Sequence, residues 1–327
     1  MNKADRLCGI TCFYNLGNSE ERLRNFATFR ARWEKSGLPL LVIEWSPWGI
    51  FQLTDPVRDR NVHQISGGAI CWQKERLLNI GLEMMLGAGY EKFICVDGDL
   101  VYDEDSDWVN KFSDALGEYD VVQGFSQAVC KYNDCVRVGE SVVKCYREKG
   151  NFNRSSPGGV WGFNKAFATE VGWYEDNIIG GGDSCLSYSV LIDPPPANQN
   201  SKDVARKSRT VRTCTSSQWG HFVDYHKRVG RFAPRVSYLE DVTANLLVHG
   251  TREGRMFADR FDYLQGYNPY DHTFSLKGRP IQWQSQAPDA IKNNLARYFF
   301  ERSRDEAYYD GFNSVSNPYS EIVISNA

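Results

Sequence analysis

The chain has 327 residues, and its 38 lysines and arginines against 41 aspartates and glutamates give a formal net charge of −3. Hydrophobic residues make up 42% and charged residues 24%, a composition that excludes a disordered tail, a collagen-like fibre and a small disulfide scaffold. No apolar run approaches the roughly 20 residues that span a bilayer, and residues 1–6 lack the apolar character of a signal peptide. The nine cysteines form no CxxC pair. We therefore expect a cytoplasmic protein without a transmembrane segment.

Strands and helices are predicted to alternate over the first hundred residues. Short apolar runs bounded by turn residues predict strands, and apolar residues at helical spacing predict helices. The predicted elements are strands over 7–14, 38–44 and 92–96, a helix from the capping Ser19 to Gly37, and a helix over 72–86. This order is typical of a parallel sheet covered by helices. The expected fold class is therefore α/β, with a mixed, mainly parallel central sheet flanked by helices.

The alternation continues less regularly in the rest of the chain. Helices are predicted over 108–116 and 165–171, and extended segments over 120–125 and 159–163. Three consecutive prolines, 194–196, end the preceding element, and the polar stretch 197–217 is predicted to be a loop or insertion. Residues 202–235 contain nine lysines and arginines against Asp203 and Asp224, so this basic segment carries +7 and the remainder of the chain −10.

Two carboxylates follow the third predicted strand directly, in the triplet Asp97-Gly98-Asp99. Open α/β sheets bind ligands in the crevice at the carboxyl ends of their strands, where this triplet is expected to lie. Carboxylate oxygens are ligands that Mg²⁺ and Mn²⁺ prefer, and these ions commonly bridge to a diphosphate. The triplet therefore predicts a site for a metal and a nucleotide.

Four sequence blocks occur in an order that resembles a known family. The first block combines the first strand, with Phe13-Tyr14-Asn15, and the helix WQKERLLNIG that precedes Asp97-Gly98-Asp99. The other three blocks are PGGVWGFNK at 157–165, the run Gly180-Gly181-Gly182-Asp183, and the strand NLLVHGTR at 245–252. Together they are similar to nucleotide-sugar glycosyltransferases of the GT-A fold, and most similar to the β-1,4-galactosyltransferases. The resemblance covers roughly residues 7–265 and implies transfer of a sugar from a UDP-sugar to the hydroxyl of a glycan or another acceptor.

The resemblance also implies roles for individual residues. Asp99 and His249 would hold Mn²⁺ or Mg²⁺, with Asp97 as a further metal ligand or near the ribose. Asp183 would act as the general base of an inverting reaction, although the family has two consecutive acids here and this chain has Ser184 after Asp183. The remaining implied contacts to the donor nucleotide and its diphosphate are Phe13, Asn15, Glu44, Lys74, Arg252 and Arg255. If Asp183 is not the base, Glu175 and Asp176 are the next candidates.

The resemblance predicts a single domain over residues 1–327. Residues 1–105 would form the nucleotide-binding half, and residues 106–265 the acceptor-binding and catalytic half, with a basic insertion at about 191–244. Residues 266–327 would form a carboxyl-terminal extension.

Three other functions remain open from the sequence. A retaining GT-A enzyme would share the metal site but not the base. A transferase that acts on hydroxylated bases of nucleic acid would use the basic segment for phosphates and its aromatic residues as stacking platforms, namely Trp219, Phe222, Tyr225 and Phe232. A sugar-binding module without catalysis is disfavoured by the presence of Asp97, Asp99 and His249. The same basic segment is also consistent with an anionic glycan acceptor or with a solvated loop.

Overall fold

The structure is a computed structural model, and it describes residues 6–53, 59–131, 136–193, 216–251, 254, 256 and 259–309. The described strands are β1 (Leu7–Phe13), β2 (Leu40–Ser46), β3 (Val62–Ser66), β4 (Lys92–Val96), β5 (Leu100–Tyr102), β6 (Val121–Gln123), β7 (Gln127–Lys131), β8 (Val136–Ser141), β9 (Ser155–Ser156), β10 (Val160–Asn164), β11 (Val236–Tyr238), β12 (Thr243–Leu246), β13 (Thr273–Phe274) and β14 (Gln282–Trp283).

The described helices are α1 (Glu20–Lys35), α2 (Lys74–Gly87), α3 (Trp108–Glu118), α4 (Val142–Lys149), α5 (Lys165–Glu170), α6 (Gly182–Leu191), α7 (Ser216–Phe232), α8 (Pro269–His272) and α9 (Asp289–Tyr309). A 3₁₀ helix covers Arg260–Leu264. Among the described residues, no helix combines the length and the apolar character needed to cross a membrane.

A seven-stranded sheet forms the centre of the fold, in the order β11-β6-β10-β4-β1-β2-β3. Strands β4, β1, β2 and β3 run parallel to one another, and β11 runs parallel to β6. Only β10 runs against its two neighbours in this sheet. The predicted α/β class with a mainly parallel central sheet is confirmed.

Helices cover both faces of this sheet because each has one apolar side. In α1, Phe26, Phe29 and Trp33 are buried against one face, together with Phe112 of α3. The predicted cap of α1 is also present, since the Ser19 side chain accepts a hydrogen bond from the amide of Arg22. Helices α2, α5, α6 and α7 pack on the opposite face. The sheet is therefore buried on both sides, and its strand ends are where side chains reach a crevice.

A second sheet was not predicted from the sequence. Its five strands lie in the order β5-β12-β7-β8-β9 and include segments that are far apart in the chain. All five strands are only two to six residues long. Runs this short give little periodicity, so the sequence does not distinguish them from loops.

A matched pair of glycine substitutions tests the packing of α3 on the central sheet. A Cβ atom at Gly162 in β10 would lie 2.8 Å from the ring of Phe112, whereas one at Gly117 in α3 would have no atom closer than 3.8 Å. We expect Gly162→Ala to destabilise the protein by about 1–3 kcal/mol through overpacking. Gly117→Ala should leave the stability equal or slightly higher. Equal unfolding midpoints of the two variants in a denaturant titration would contradict this packing.

Candidate active site

The pairing of two short strands brings His249 to Asp99. Strand β5 begins directly after Asp99, and β12 ends three residues before His249. The two strands are antiparallel with Leu246 opposite Leu100, and the amide of Leu247 donates to the carbonyl oxygen of Asp99 over 2.7 Å. His249 Nε2 consequently lies 3.3 Å from Asp99 Oδ2. The predicted metal-ligand pair is therefore brought together by backbone register.

A buried glutamine fixes the beginning of α2, where Lys74 is the first residue. The Gln73 side chain is fully buried, donates to the carbonyl oxygens of Ala69 and Ile281, and accepts from the amide of Ile281. The adjacent Lys74 then points across the strand ends. Its ammonium group lies 2.7 Å from Asp97 Oδ1 and 2.8 Å from Asp183 Oδ2.

Glycines allow Asp183 to reach Lys74. Gly180 and Gly181 have φ angles of +90° and +97°, a left-handed conformation that favours glycine. A Cβ atom at Gly182 would overlap the carboxyl group of Glu75, so a glycine is also needed for the close approach of α6 to α2. Asp183 consequently lies in the first turn of α6 rather than at the end of a loop. Asp183 and Asp97 thereby share the ammonium group of Lys74.

These side chains line one cavity of about 520 Å³ at the carboxyl ends of β1 and β4. Its described lining includes acidic, basic, aromatic and small residues: Cys12, Phe13, Tyr14, Arg22, Asn25, Phe26, Trp72, Lys74, Asp97, Gly98, Asp99, Ser155, Ser156, Pro157, Gly158, Gly159, Gly181, Asp183, Ser184, Leu246, His249, Arg260 and Arg302. A volume of about 520 Å³ lies within the range of small-molecule binding sites.

Burial and mutual proximity shift the pKa values of the charged groups. Burial raises the pKa of Asp97 to about 7; Lys74 opposes this shift, and Asp183 and Asp99 add to it. Burial alone would lower the pKa of Lys74, but Asp183 and Asp97 together hold it well above its ordinary value. Burial also raises the pKa of Glu75 to about 8, and its Oε1 has no hydrogen-bond partner. The cavity therefore concentrates acidic groups around one permanently charged lysine.

Two of the predicted nucleotide contacts lie outside this cavity. Glu44 is buried and accepts hydrogen bonds from the amides of Gln52 and Leu53 and from the Gln64 side chain. Asn15 bonds to both backbone groups of Ser19. The two residues line a small neighbouring pocket, and Phe13 lies in the wall of both spaces. Of the predicted set, Phe13, Lys74, Asp97, Asp99, Asp183 and His249 converge.

The predicted alternative bases lie elsewhere. Glu175 and Asp176 line a second cavity of about 860 Å³ that shares no lining residue with the first. Arg228 and Arg231 of the basic segment also line this second cavity. Arg252, Arg255 and residues 202–215 lie outside the described residues, so their predicted contacts remain predictions.

The prediction of aromatic stacking platforms in the basic segment is wrong for two of the four residues. Phe222 and Tyr225 are 0% and 3% exposed, since α7 packs them into the core against Tyr174. Trp219 and Phe232 also pack partly against this core. The spacing that places aromatic residues between basic ones here is the amphipathic period of a helix.

Three arginines of the cavity had no predicted role: Arg22, Arg260 and Arg302. Arg302 belongs to α9 in the segment that was predicted to be only an extension. The signal was nevertheless present, because the buried residues Ile291, Leu295, Tyr298, Phe299 and Arg302 recur at helical spacing. An arginine on the apolar side of a helix is expected to be buried and to have interacting groups beside its charge.

Comparisons with known proteins give distant structural matches only. No protein-family model matches the chain, and no curated protein matches its sequence. TarS from S. aureus matches with 13% identity and a TM-score of 0.39, over 98% of this chain and 78% of that one. A mutant β-1,4-galactosyltransferase 7 from Drosophila, in complex with manganese, UDP-Gal and xylobiose, matches with 10% identity and a TM-score of 0.37, over 86% and 95%. Scores this low do not establish an activity or a site for this chain.

Removing the ammonium group of Lys74 should destabilise the protein in a pH-dependent manner. In Lys74→Met, the carboxylates of Asp97 and Asp183 remain close together without their shared cation, at an expected cost of about 1–3 kcal/mol at pH 8. The pKa of Asp97, which burial already raises to about 7, rises further, so the folded state binds a proton that the unfolded chain binds only near pH 4. The loss in the free energy of unfolding should therefore be smaller at pH 5.5 than at pH 8.

Lys35→Met is the matched control, because Lys35 makes an equally short ion pair of 2.7 Å with Glu104 on the exposed surface. It should change stability little at either pH. Denaturant titrations of both variants and the unaltered protein at the two pH values check this prediction. A deficit in Lys74→Met that is constant with pH, or that grows on acidification, would contradict it.

Proposed function

We propose that the chain is a metal-dependent glycosyltransferase of the GT-A type. It transfers a sugar from a nucleoside diphosphate donor, expected to be a UDP-sugar, to an acceptor hydroxyl with inversion at the anomeric carbon. The observation that carries this proposal is the convergence of the Asp99–His249 pair and the Lys74–Asp97–Asp183 cluster in one cavity at the carboxyl ends of parallel strands. The sequence resemblance to the β-1,4-galactosyltransferases supports the same reaction.

Asp99 and His249 fit a hard divalent ion that also binds a diphosphate. Neighbouring ligands of an octahedral Mg²⁺ are separated by about 3 Å, which follows from metal–oxygen distances of about 2.1 Å. The 3.3 Å between Asp99 Oδ2 and His249 Nε2 is close to this value. Within the described ranges no three His, Cys, Asp or Glu side chains gather into a metal site. A site with two protein ligands leaves coordination positions for phosphate oxygens, as expected for an ion that binds with its nucleotide.

Asp97 has a different environment from Asp99. Its Oδ1 pairs with Lys74, whereas Asp99 faces His249. We infer that Asp99 and His249 are the principal metal ligands. Asp97 contributes negative charge beside them and contacts either the metal or the ribose.

Asp183 is the proposed general base. Its Oδ2 accepts a hydrogen bond from Lys74, the same ammonium group that pairs with Asp97, so Lys74 fixes the direction of the Asp183 carboxylate. Asp183 accepts the proton of the acceptor hydroxyl while the acceptor oxygen attacks the anomeric carbon. The bound metal would stabilise negative charge on the departing diphosphate. Lys74 adds a second positive charge on the donor side.

The metal site is tested by Asp99→Asn. This change keeps the shape of the side chain and removes the anionic ligand, so UDP affinity should no longer increase when Mn²⁺ is added. The loss of a charged interaction predicts roughly 10-fold weaker binding or more in the presence of Mn²⁺. Calorimetry with UDP, with and without Mn²⁺, measures both effects. The exposed Asp105→Asn variant in the following turn is the control, and an intact Mn²⁺ effect in Asp99→Asn would place the metal elsewhere.

The general base is tested by Asp183→Asn. An amide does not accept the hydroxyl proton, so turnover should fall about 10²–10⁴-fold while UDP affinity changes little. A screen of UDP-sugars for UDP release first identifies the donor, and transfer rates are then compared. Asp176→Asn is the control, because Asp176 lies in the second cavity. Loss of turnover in Asp176→Asn but not in Asp183→Asn would assign the base to Asp176, and product of retained anomeric configuration would exclude the inverting mechanism.

A further inference from the structure

Helix α1 reaches the segment that carries His249 through a buried asparagine. Asn25 is 8% exposed, and its Nδ2 donates a hydrogen bond to the carbonyl oxygen of Val248 over 3.0 Å. The two residues are 223 positions apart in the chain. The carbonyl group of Val248 belongs to the peptide bond that joins Val248 to His249, and this bond is planar. The hydrogen bond from Asn25 therefore fixes the peptide plane that leads directly into the histidine.

This hydrogen bond matters because β12 ends before the histidine. The amide of Leu247 still donates to the carbonyl oxygen of Asp99 over 2.7 Å. The backbone at 247–249 is, however, part of neither a strand nor a helix, so no regular ladder of hydrogen bonds continues to His249. A side-chain hydrogen bond to the backbone has a large effect on conformation in such a segment, since it supplies the partner that a strand would have provided.

The next residue of α1 contacts the other segment of the proposed metal site. Phe26 is 3% exposed and packs against Gly98, where a Cβ atom would lie 2.8 Å from the phenyl ring. Gly98 separates Asp97 from Asp99. Consecutive side chains of one helix thus contact the acidic triplet and the backbone beside His249, and both line the cavity. Helix α1 therefore connects the two segments whose side chains would share the metal.

We propose that Asn25 is a positioning residue for the metal site, which holds His249 beside Asp99 so that both can bind one divalent ion. The proposal rests on the proposed function, since it takes these two side chains, 3.3 Å apart, as the metal ligands. Asn25 acts through the histidine and contacts neither the ion nor the nucleotide. Residues that orient metal ligands commonly change metal affinity 10- to 100-fold when they are replaced.

The test replaces Asn25 by leucine, which keeps the branched shape, lacks the donor and is favourable in a helix. The Val248 carbonyl then loses its partner, and the peptide before His249 is free to rotate. Calorimetry measures UDP affinity with and without Mn²⁺. Without Mn²⁺ the affinity of Asn25→Leu should equal that of the unaltered protein, whereas the increase caused by Mn²⁺ should be about 10-fold smaller. The electron paramagnetic resonance signal of free Mn²⁺ should show the same loss of bound ion.

Thr28→Val is the matched control on the same helix. The exposed Thr28 hydroxyl also donates to a carbonyl oxygen, that of Arg24 within α1, and valine has the same shape without this donor. Thr28→Val should keep the full effect of Mn²⁺ on UDP affinity. If Asn25→Leu does not fold, as judged by its thermal unfolding midpoint, Asn25→Ala removes the same hydrogen bond and is measured in its place.

A double-mutant cycle with His249→Ala separates positioning from a direct contact. If Asn25 acts through the histidine, Asn25→Leu should cause no further loss of Mn²⁺-dependent UDP affinity when His249 is already alanine. An equal loss in both backgrounds would overturn the proposal, because Asn25 would then act independently of His249. UDP affinity that falls to the same extent with and without Mn²⁺ would also overturn it, since Asn25 would then contact the nucleotide.

The unaltered protein separates this proposal from the proposed function. If Mn²⁺ does not increase its UDP affinity, the metal-dependent function itself fails. If Mn²⁺ increases UDP affinity equally in the unaltered protein and in the Asn25 variant, the metal site remains and only the role of Asn25 fails.

Discussion

The ion pairs of Lys74 with Asp97 and Asp183 connect the parts of the chain that form the cavity. Asp97 follows a central strand, Asp183 begins α6, and Lys74 begins α2, so one ammonium group holds together the ends of three elements. Burial, together with the neighbouring carboxylates of Asp183 and Asp99, raises the pKa of Asp97 to about 7, and the single charge of Lys74 opposes this shift only in part. This excess of negative charge favours the binding of a metal ion and of a ligand that is cationic or forms hydrogen bonds. The same ion pairs therefore position the side chains of the site and leave it with an excess of negative charge.

The backbone contributes as much to the site as the charges do. The antiparallel pairing of β5 with β12 determines where His249 lies, and a shift of one residue in that register would turn alternate side chains to the opposite face. The amide of Asp97 also donates to the carbonyl oxygen of Gly159 over 2.8 Å, which ties the acidic triplet to the neighbouring glycine loop. The side-chain positions of Asp97, Asp99 and His249 thus depend on two strand pairings that are remote from each other in sequence.

The sequence was sufficient to predict the elements with strong periodicity and the residues that follow them. The strands around Gly9 and Ile94, the Ser19 cap and the position of Asp97 and Asp99 after β4 agree with the structure. The second sheet could not be predicted, because its strands are short and pair over long sequence separations. Glu44 illustrates a different limit. The sequence resemblance implied that this carboxylate contacts the donor nucleotide, whereas in the structure its oxygens accept three hydrogen bonds from the protein, which the sequence alone does not show.

Arg302 places the carboxyl-terminal helix in the wall of the cavity. Helix α9 buries Ile291, Leu295 and Tyr298 next to the 3₁₀ helix, so the packing that stabilises α9 also brings Arg302 beside Arg260. Burying an arginine on an apolar helix face costs free energy unless its guanidinium group is well accommodated. The Tyr298 hydroxyl and the Trp72 ring accommodate Arg302 on the protein side. The wall of the cavity therefore combines acidic side chains that follow the central strands with a buried arginine from the last helix, and the carboxyl-terminal segment contributes to the lining of the site.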